Sequence, residues 1–216
     1  MINYPTKIHE EYIKYAVDFA EKNKMNLYLK GSLANGAATK YSDIDLAVME
    51  NHPDVIEKFI TSYGRLSMTN ITERPQGILI ILYENGLCID MDIRDSLMAS
   101  EYSESVRLVE SKDVIISTQV LRNVDIRINS IPVRDEWYKL LRLFHRSLIK
   151  KLSKKDTESE SILQEIKDEL DMKSGDKIQW KNIYTNDIQT ALIVIKTYYL
   201  IPNEIEMILL SLINDL

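Results

Sequence analysis

Two aspartates set two residues apart, Asp43 and Asp45, sit in an otherwise apolar run within the stretch GSLANGAATKYSDIDLAV, Gly31 to Val48. Along a strand alternate side chains share a face, so the two carboxylates project together with Cα atoms about 7 Å apart. Acids that close repel unless a positive group lies between them. A hard divalent cation is the usual answer, because carboxylate oxygens suit Mg²⁺, and Mg²⁺ brings phosphates with it. Upstream, Gly31-Ser32 closes the apolar run NLYLK and opens a segment of small residues. A strand, a Gly-Ser turn and a helix in that order can aim backbone N–H groups at a phosphate, with the Ser32 hydroxyl as a further donor. Taken alone, Gly-Ser is more often a plain turn with a helix N-cap.

A second acidic pair lies in ILIILYENGLCIDMDIRDS, Ile78 to Ser96. Two β-rich runs flank Asn85-Gly86, the dipeptide best suited to a two-residue hairpin turn. That turn predicts Glu84 opposite Leu87 and Asp90 opposite Ile81. Asp90 and Asp92 then share one face while Ile89, Met91 and Ile93 take the other. Either aspartate can stand beside the first pair, and a solvated strand face is the bland alternative. Asp95 is expected to cap the helix that follows.

Gly-Ser, ten residues, then Asp-Ile-Asp-Leu resembles the signature of the DNA polymerase β-like nucleotidyltransferase superfamily. The resemblance implies an α+β fold, a mixed sheet with flanking helices followed by a C-terminal helical bundle. It also implies transfer of a nucleoside monophosphate from a triphosphate, ATP or another, onto an acceptor hydroxyl, with two Mg²⁺ ions. Within the superfamily the chain is most similar to the small bacterial aminoglycoside and lincosamide adenylyltransferases. Their third acid follows a Gly-x-x-Ile-Asp pattern, matched by Gly86-Leu87-Cys88-Ile89-Asp90, which selects Asp90 and leaves Asp92 as the reserve. The implied roles are metal binding and catalysis by Asp43, Asp45 and Asp90, with Asp90 also serving as general base. Gly31 and Ser32 would grip the donor's β- and γ-phosphates.

The elements that must position these groups are legible from periodicity. Apolar residues at Ile8, Tyr12, Tyr15, Ala16 and Phe19 follow helical spacing over 8–24. Strands are expected over 26–32, 43–50 and 66–72, with a short helix over 33–38. Pro53 opens a helix that Gly64 closes. ERPQG, around Pro75 and Gly77, reads as a loop. The segment 105–117 reads as a further strand pair or strand-turn unit with its turn at Ser111 to Asp113.

Thr118 to Pro132 has no clear period and reads as a passage between a catalytic domain, 1–120, and a helical domain, 133–216. In the latter, Trp137, Leu140, Leu141, Phe144, Leu148 and Leu152 form one apolar stripe. Beside it Arg142, Arg146, Lys150 and Lys154 recur every four residues. Such a strip is ordinarily a solvated face; the sharper reading is that it neutralises a triphosphate or grips an anionic acceptor. His145 reads as a surface or boundary residue. Helices over 158–171, 187–200 and 202–216 complete a bundle of four, and Trp180 anchors the loop 173–182.

Composition narrows the remaining choices. The chain has 216 residues, 45% hydrophobic and 28% charged, with one cysteine, Cys88. A real core is affordable at that length, and neither a disulfide framework nor a thiolate metal site can be built. No signal peptide or apolar run of membrane-spanning length occurs, so a cytoplasmic protein with no membrane association is expected. A net charge of −6 argues against a broad nucleic-acid surface. The expected partners are a nucleoside triphosphate and a small-molecule hydroxyl acceptor, with a nucleic acid less favoured, and tyrosines and methionines of the helical half are compatible with a homodimer. Two other readings stand beside the antibiotic acceptor. One is transfer to a macromolecule, tRNA or protein, as in toxin and antitoxin nucleotidyltransferases; the other is an inactive, partner-binding member of the fold.

Overall fold

The computed structural model describes residues 2–50, 52–73, 76–119, 136–175 and 177–216. The chain divides into two compact units, Met1–Pro132 and Val133–Leu216. Most of the expected interdomain passage, 120–132, lies outside the described residues.

In the first unit the order is α1 (Lys7–Lys22), β1 (Asn26–Lys30), α2 (Gly31–Asn35), β2 (Ile44–Met49), α3 (Pro53–Thr61), β3 (Leu66–Glu73), β4 (Gln76–Tyr83), β5 (Cys88–Ile93), α4 (Ala99–Glu104) and β6 (Val106–Val109). The strands form one mixed sheet in the order β3-β4-β5-β2-β1-β6. β2 and β5 run parallel; the other ladders are antiparallel.

Alternation along each strand decides which face is which. Leu27 and Leu29, Ile44, Leu46 and Val48, Leu79 and Ile81, and Ile89, Met91 and Ile93 are buried in one core with Tyr12, Ile13, Ala16 and Ala20 of α1 and Ile56, Phe59 and Ile60 of α3. Each such aliphatic side chain contributes about 1.5–3 kcal/mol by leaving water. A register slip of one residue would push the aspartates into that core, so the hydrophobic pattern also fixes the acids on the opposite face. There Tyr28, Ala47 and Leu97 make a small second cluster, with Met49, Tyr102 and Val114 packed against it.

Several sequence expectations are corrected. The hairpin between β4 and β5 has three loop residues: the Tyr83 N–H donates to the Leu87 carbonyl at 3.0 Å and the Gly86 N–H to the Tyr83 carbonyl at 2.9 Å. Gly86 takes φ +83°, the left-handed position that closes a three-residue turn. Asp90 therefore lies opposite Ile80, not Ile81. β3 and β4 pair up to Glu73 and Gln76, so the expected ERPQG loop shrinks to a tight connection whose residues 74–75 lie outside the described residues. Of the two readings of 105–117 the strand pair does not form: there is one strand, β6, and an isolated bridge between Leu97 and Ile116. Asp95 caps nothing: the N-cap of α4 is Met98, and the Asp95 carboxylate accepts from the Ser96 hydroxyl at 2.9 Å.

The second unit holds α5 (Glu136–Leu152), α6 (Asp156–Ser174), α7 (Tyr184–Tyr198) and α8 (Asn203–Asn214). Leu141, Phe144 and Leu148 of α5 are buried, as are Ile166 and Leu170 of α6, Ile188 and Ile195 of α7, and Ile205 and Leu209 of α8. α5 and α6 are also joined by reciprocal bonds, the Ser147 hydroxyl to the Ser159 carbonyl and the Ser159 hydroxyl to the Ser147 carbonyl, both 3.0 Å. Lys167 and Asp187 form a buried ion pair at 2.9 Å. Trp180 does anchor its loop, donating to the Asp171 carboxylate at 3.1 Å.

The basic strip does not survive folding. Arg142 is buried, Arg146 is exposed, Lys150 faces Glu158 at 3.8 Å, and Lys154 lies past the end of α5. His145 is not at the surface but 1% exposed. An Arg142 Nη1 stands 3.3 Å from its Nδ1; guanidinium only donates, so Nδ1 is the bare, accepting nitrogen.

Burial first, and the adjacent Arg142 charge second, push the His145 imidazole down from 6.5 to about 3. The neutral ring's contribution is therefore complete above pH 6.5 and is lost as pH falls from 6.5 toward 3, because the unfolded chain takes up the proton first. Between pH 6.5 and 5 this amounts to about 2 kcal/mol. Urea unfolding monitored across that range should show stability falling with acidification, and His145→Leu should flatten the slope whatever it does to stability at pH 8.

Candidate active site

β2 lies between β5 and β1, and this arrangement builds a transverse row of polar groups. Asp45 pairs with Asp90 across the parallel ladder, and with Lys30 across the antiparallel one. Ile80 continues the row beyond Asp90. Neighbouring strands are about 4.8 Å apart, so the two acids stand as direct neighbours on one face. Asp43 immediately precedes β2, two residues before Asp45. All three acids are half-buried at the edge of the covered surface.

Gly31 is exposed, with φ +64°, and opens α2 directly after Lys30. A Cβ built there would sit 1.8 Å from Oδ2 of Asp45. The backbone of the Gly-Ser turn thus lies against the Asp45 carboxylate, and glycine is required by both the left-handed conformation and the space. Ser32 is half-buried in the first turn of α2, and its carbonyl accepts from the Ala37 N–H at 2.9 Å. The structure therefore brings Gly31, Asp45 and Asp90 together, with Ser32 and Asp43 each one short step along the chain.

Asp92 occupies the next row, opposite Ala47. It is 4% exposed and hydrogen-bonds Nη2 of Arg94. Arg94 is 2% exposed; its Nη1 donates to Glu101 Oε2 at 2.6 Å. Lys30 Nζ donates to Glu101 Oε1 at 2.9 Å and lies 3.9 Å from Asp92. A buried guanidinium needs such partners, since removing one strands the charge. Asp92 is thereby committed to the sheet's internal ion network, and Asp90 is the less buried acid of the pair. Glu101 belongs to the same network. Glu84 faces Arg65 at 3.8 Å, Glu104 is exposed, and the side chain of Glu73 lies outside the described residues.

Lys30, Arg94 and Glu101 went unnoticed as members of the site in the sequence. Arg94 continues the alternation Asp90, Asp92, Arg94 and could have been found by parity. Glu101 is brought over the face by α4, which no sequence period announces.

Among the described residues no group of three His, Cys, Asp or Glu side chains stands close enough to hold a metal ion. The donors that the backbone aligns here are carboxylate oxygens, with a hydroxyl and turn amides alongside. That set fits a hard divalent cation with its phosphate ligands, and nothing in it favours a soft metal.

The family model described as nucleotidyltransferase domain matches residues 10–168. Among solved structures the chain is similar to the Thermotoga maritima CCA-adding enzyme complexed with tRNA, with 14% identity and a TM-score of 0.33, covering 97% of this chain and 52% of that one. A CCA-adding enzyme in complex with CTP gives 16% and 0.32, covering 94% and 50%. The Elizabethkingia meningoseptica cyclic dinucleotide synthase with GTP and Apcpp gives 11% and 0.29, covering 99% and 91%. The chain spans about half the length of these CCA-adding enzymes. No curated protein matches it.

Two outcomes are expected of the site's own architecture. Gly31→Ala should cost about 1–3 kcal/mol through its positive φ and its collision with Asp45; adding Asp45→Gly should return the collision part in a double-mutant cycle by denaturant unfolding, and strict additivity would exclude the contact. For Glu101, burial alone would raise the carboxyl, but hydrogen bonds from Arg94 and Lys30 and from the Met98 N–H outweigh it and hold it down at about 2. Its contribution is complete above pH 4.5 and is lost as pH falls from 4.5 toward 2. Acid titration of Glu101→Gln should show a shallower loss of stability across that window.

Proposed function

The chain belongs to the nucleotidyltransferase domain family, whose model covers residues 10–168, and from that premise we propose a Mg²⁺-dependent transfer of AMP from ATP onto the hydroxyl of a small-molecule acceptor. The observation that carries this reading is the Asp45–Asp90 pair in register across β2 and β5, with Gly31 against Asp45. Asp43, Asp45 and Asp90, which this structure does not gather into one three-acid cluster, are the residues that would hold a pair of Mg²⁺ ions. Bound there, the ions would neutralise the triphosphate and hold hydroxyl and α-phosphorus in line.

The chain's own groups do the rest. The Gly31-Ser32 turn receives the β- and γ-phosphates through its amides and hydroxyl, orienting the donor. Asp90 takes the proton of the acceptor hydroxyl as its oxygen bonds to the α-phosphorus. The bond from that phosphorus to the bridging oxygen breaks, and its electron pair leaves with pyrophosphate.

The acceptor proposed is an aminoglycoside, with a lincosamide as the related case; the acidic balance, −6 overall, permits a cationic acceptor without selecting one. Transfer to tRNA loses its sequence support with the basic strip, since Arg142 is buried.

Label transfer from α-labelled ATP should appear on members of an aminoglycoside and lincosamide panel, and Asp43→Ala, Asp45→Ala and Asp90→Ala should each lower it by about 100–1,000-fold with the melting temperature retained. Label only in total RNA or cell protein would overturn the small-molecule acceptor. Absence of any Mg²⁺-dependent stabilisation by the four nucleoside triphosphates would overturn the enzymatic reading.

A further inference from the structure

The turn that delivers the acids to the sheet is tied to the first helix by one buried side chain. His9 of α1 is 3% exposed. Its Nε2 lies 2.9 Å from the carbonyl oxygen of Ser42, the residue immediately before Asp43 and 33 positions away in the chain. A carbonyl only accepts, so Nε2 carries the proton and Nδ1 is bare. That second nitrogen lies 2.6 Å from the Thr6 hydroxyl, which donates to it and fixes the ring. The turn itself is closed by the Ser42 N–H donating to the Thr39 carbonyl at 3.0 Å and the Thr39 N–H donating to the Ser42 hydroxyl at 2.9 Å.

The three acids differ in what holds their backbone. Asp45 and Asp90 lie inside strands, each paired on both sides. Asp43 precedes the first residue of β2, so its placement depends on the turn before it. We infer that His9 is a positioning residue for Asp43: the imidazole, set by Thr6, pins the Ser42 carbonyl and so aims the next side chain toward Asp45. This rests on the reading of Asp43 as a cation-holding residue. Partners that orient metal ligands are worth 10–100-fold in affinity, and one acting through the adjacent peptide belongs at the low end.

Mn²⁺ alone, which oxygen ligands accept as they do Mg²⁺, serves as the probe, its binding to the full chain followed by loss of the free-ion EPR signal. His9→Phe, which retains ring volume without a donor, should weaken binding about tenfold. His9→Gln, whose amide nitrogen reaches the same position, should restore it to within about twofold of wild type. Ile13→Ala, a core change in the same helix, should lower the melting temperature while leaving Mn²⁺ affinity as it was. Equal affinity of His9→Phe and wild type, equal weakening by His9→Phe and Ile13→Ala, or no rescue by His9→Gln would each overturn the positioning role while leaving the metal reading intact. Absence of Mn²⁺ binding by wild type would overturn both. Should His9→Phe not fold, Thr6→Val frees the ring instead, and an unchanged affinity in that variant overturns the inference equally.

Discussion

The parallel pairing of β2 with β5 is the constraint on which the first unit depends. Antiparallel neighbours can be joined by a short turn, whereas parallel ones need a crossover, and here α3, β3 and β4 supply it. Because the two strands start together at one end of the ladder, the acids near their beginnings meet, Asp45 beside Asp90. The aliphatic residues between them then lock the register. The same burial that stabilises the sheet therefore sets the spacing of the carboxylates.

That constraint also separates two aspartates which look equivalent along the chain. Asp90 and Asp92 share a face, yet one step farther into the sheet the face is covered by Tyr102 and α4, and Asp92 is enclosed with Arg94 and Glu101. Low dielectric strengthens such pairs and makes an unmatched charge expensive. The edge of the covered patch thus falls between the two acids, with Asp90 half-buried and Asp92 enclosed.

Much of this was readable in advance where local chemistry and pattern agree. The glycine at 31 and the alternation of Ile89, Met91 and Ile93 follow from a required backbone angle and a period of two, and both stand where expected. The failures came where tertiary contacts decide. The Asn85-Gly86 dipeptide fits two turn lengths, and the Tyr83–Leu87 pairing selects the longer one. Arg142 and His145 sit on a helix whose neighbours bury a wider sector than the apolar stripe alone marks. The His9–Ser42 bond spans 33 positions and leaves no local trace.

Arg94 has a consequence for how this sequence can drift. Its guanidinium stays charged at any physiological pH, and both of its carboxylate partners are largely enclosed, so changing Asp92 or Glu101 singly passes through a chain with a stranded cation. Replacement of all three by apolar residues of matching volume is tolerable, as other buried ion clusters have proved to be, but only when the changes arrive together. Relatives of this protein should consequently carry the trio whole or lack it whole, making its presence a lineage marker independent of Asp43, Asp45 and Asp90.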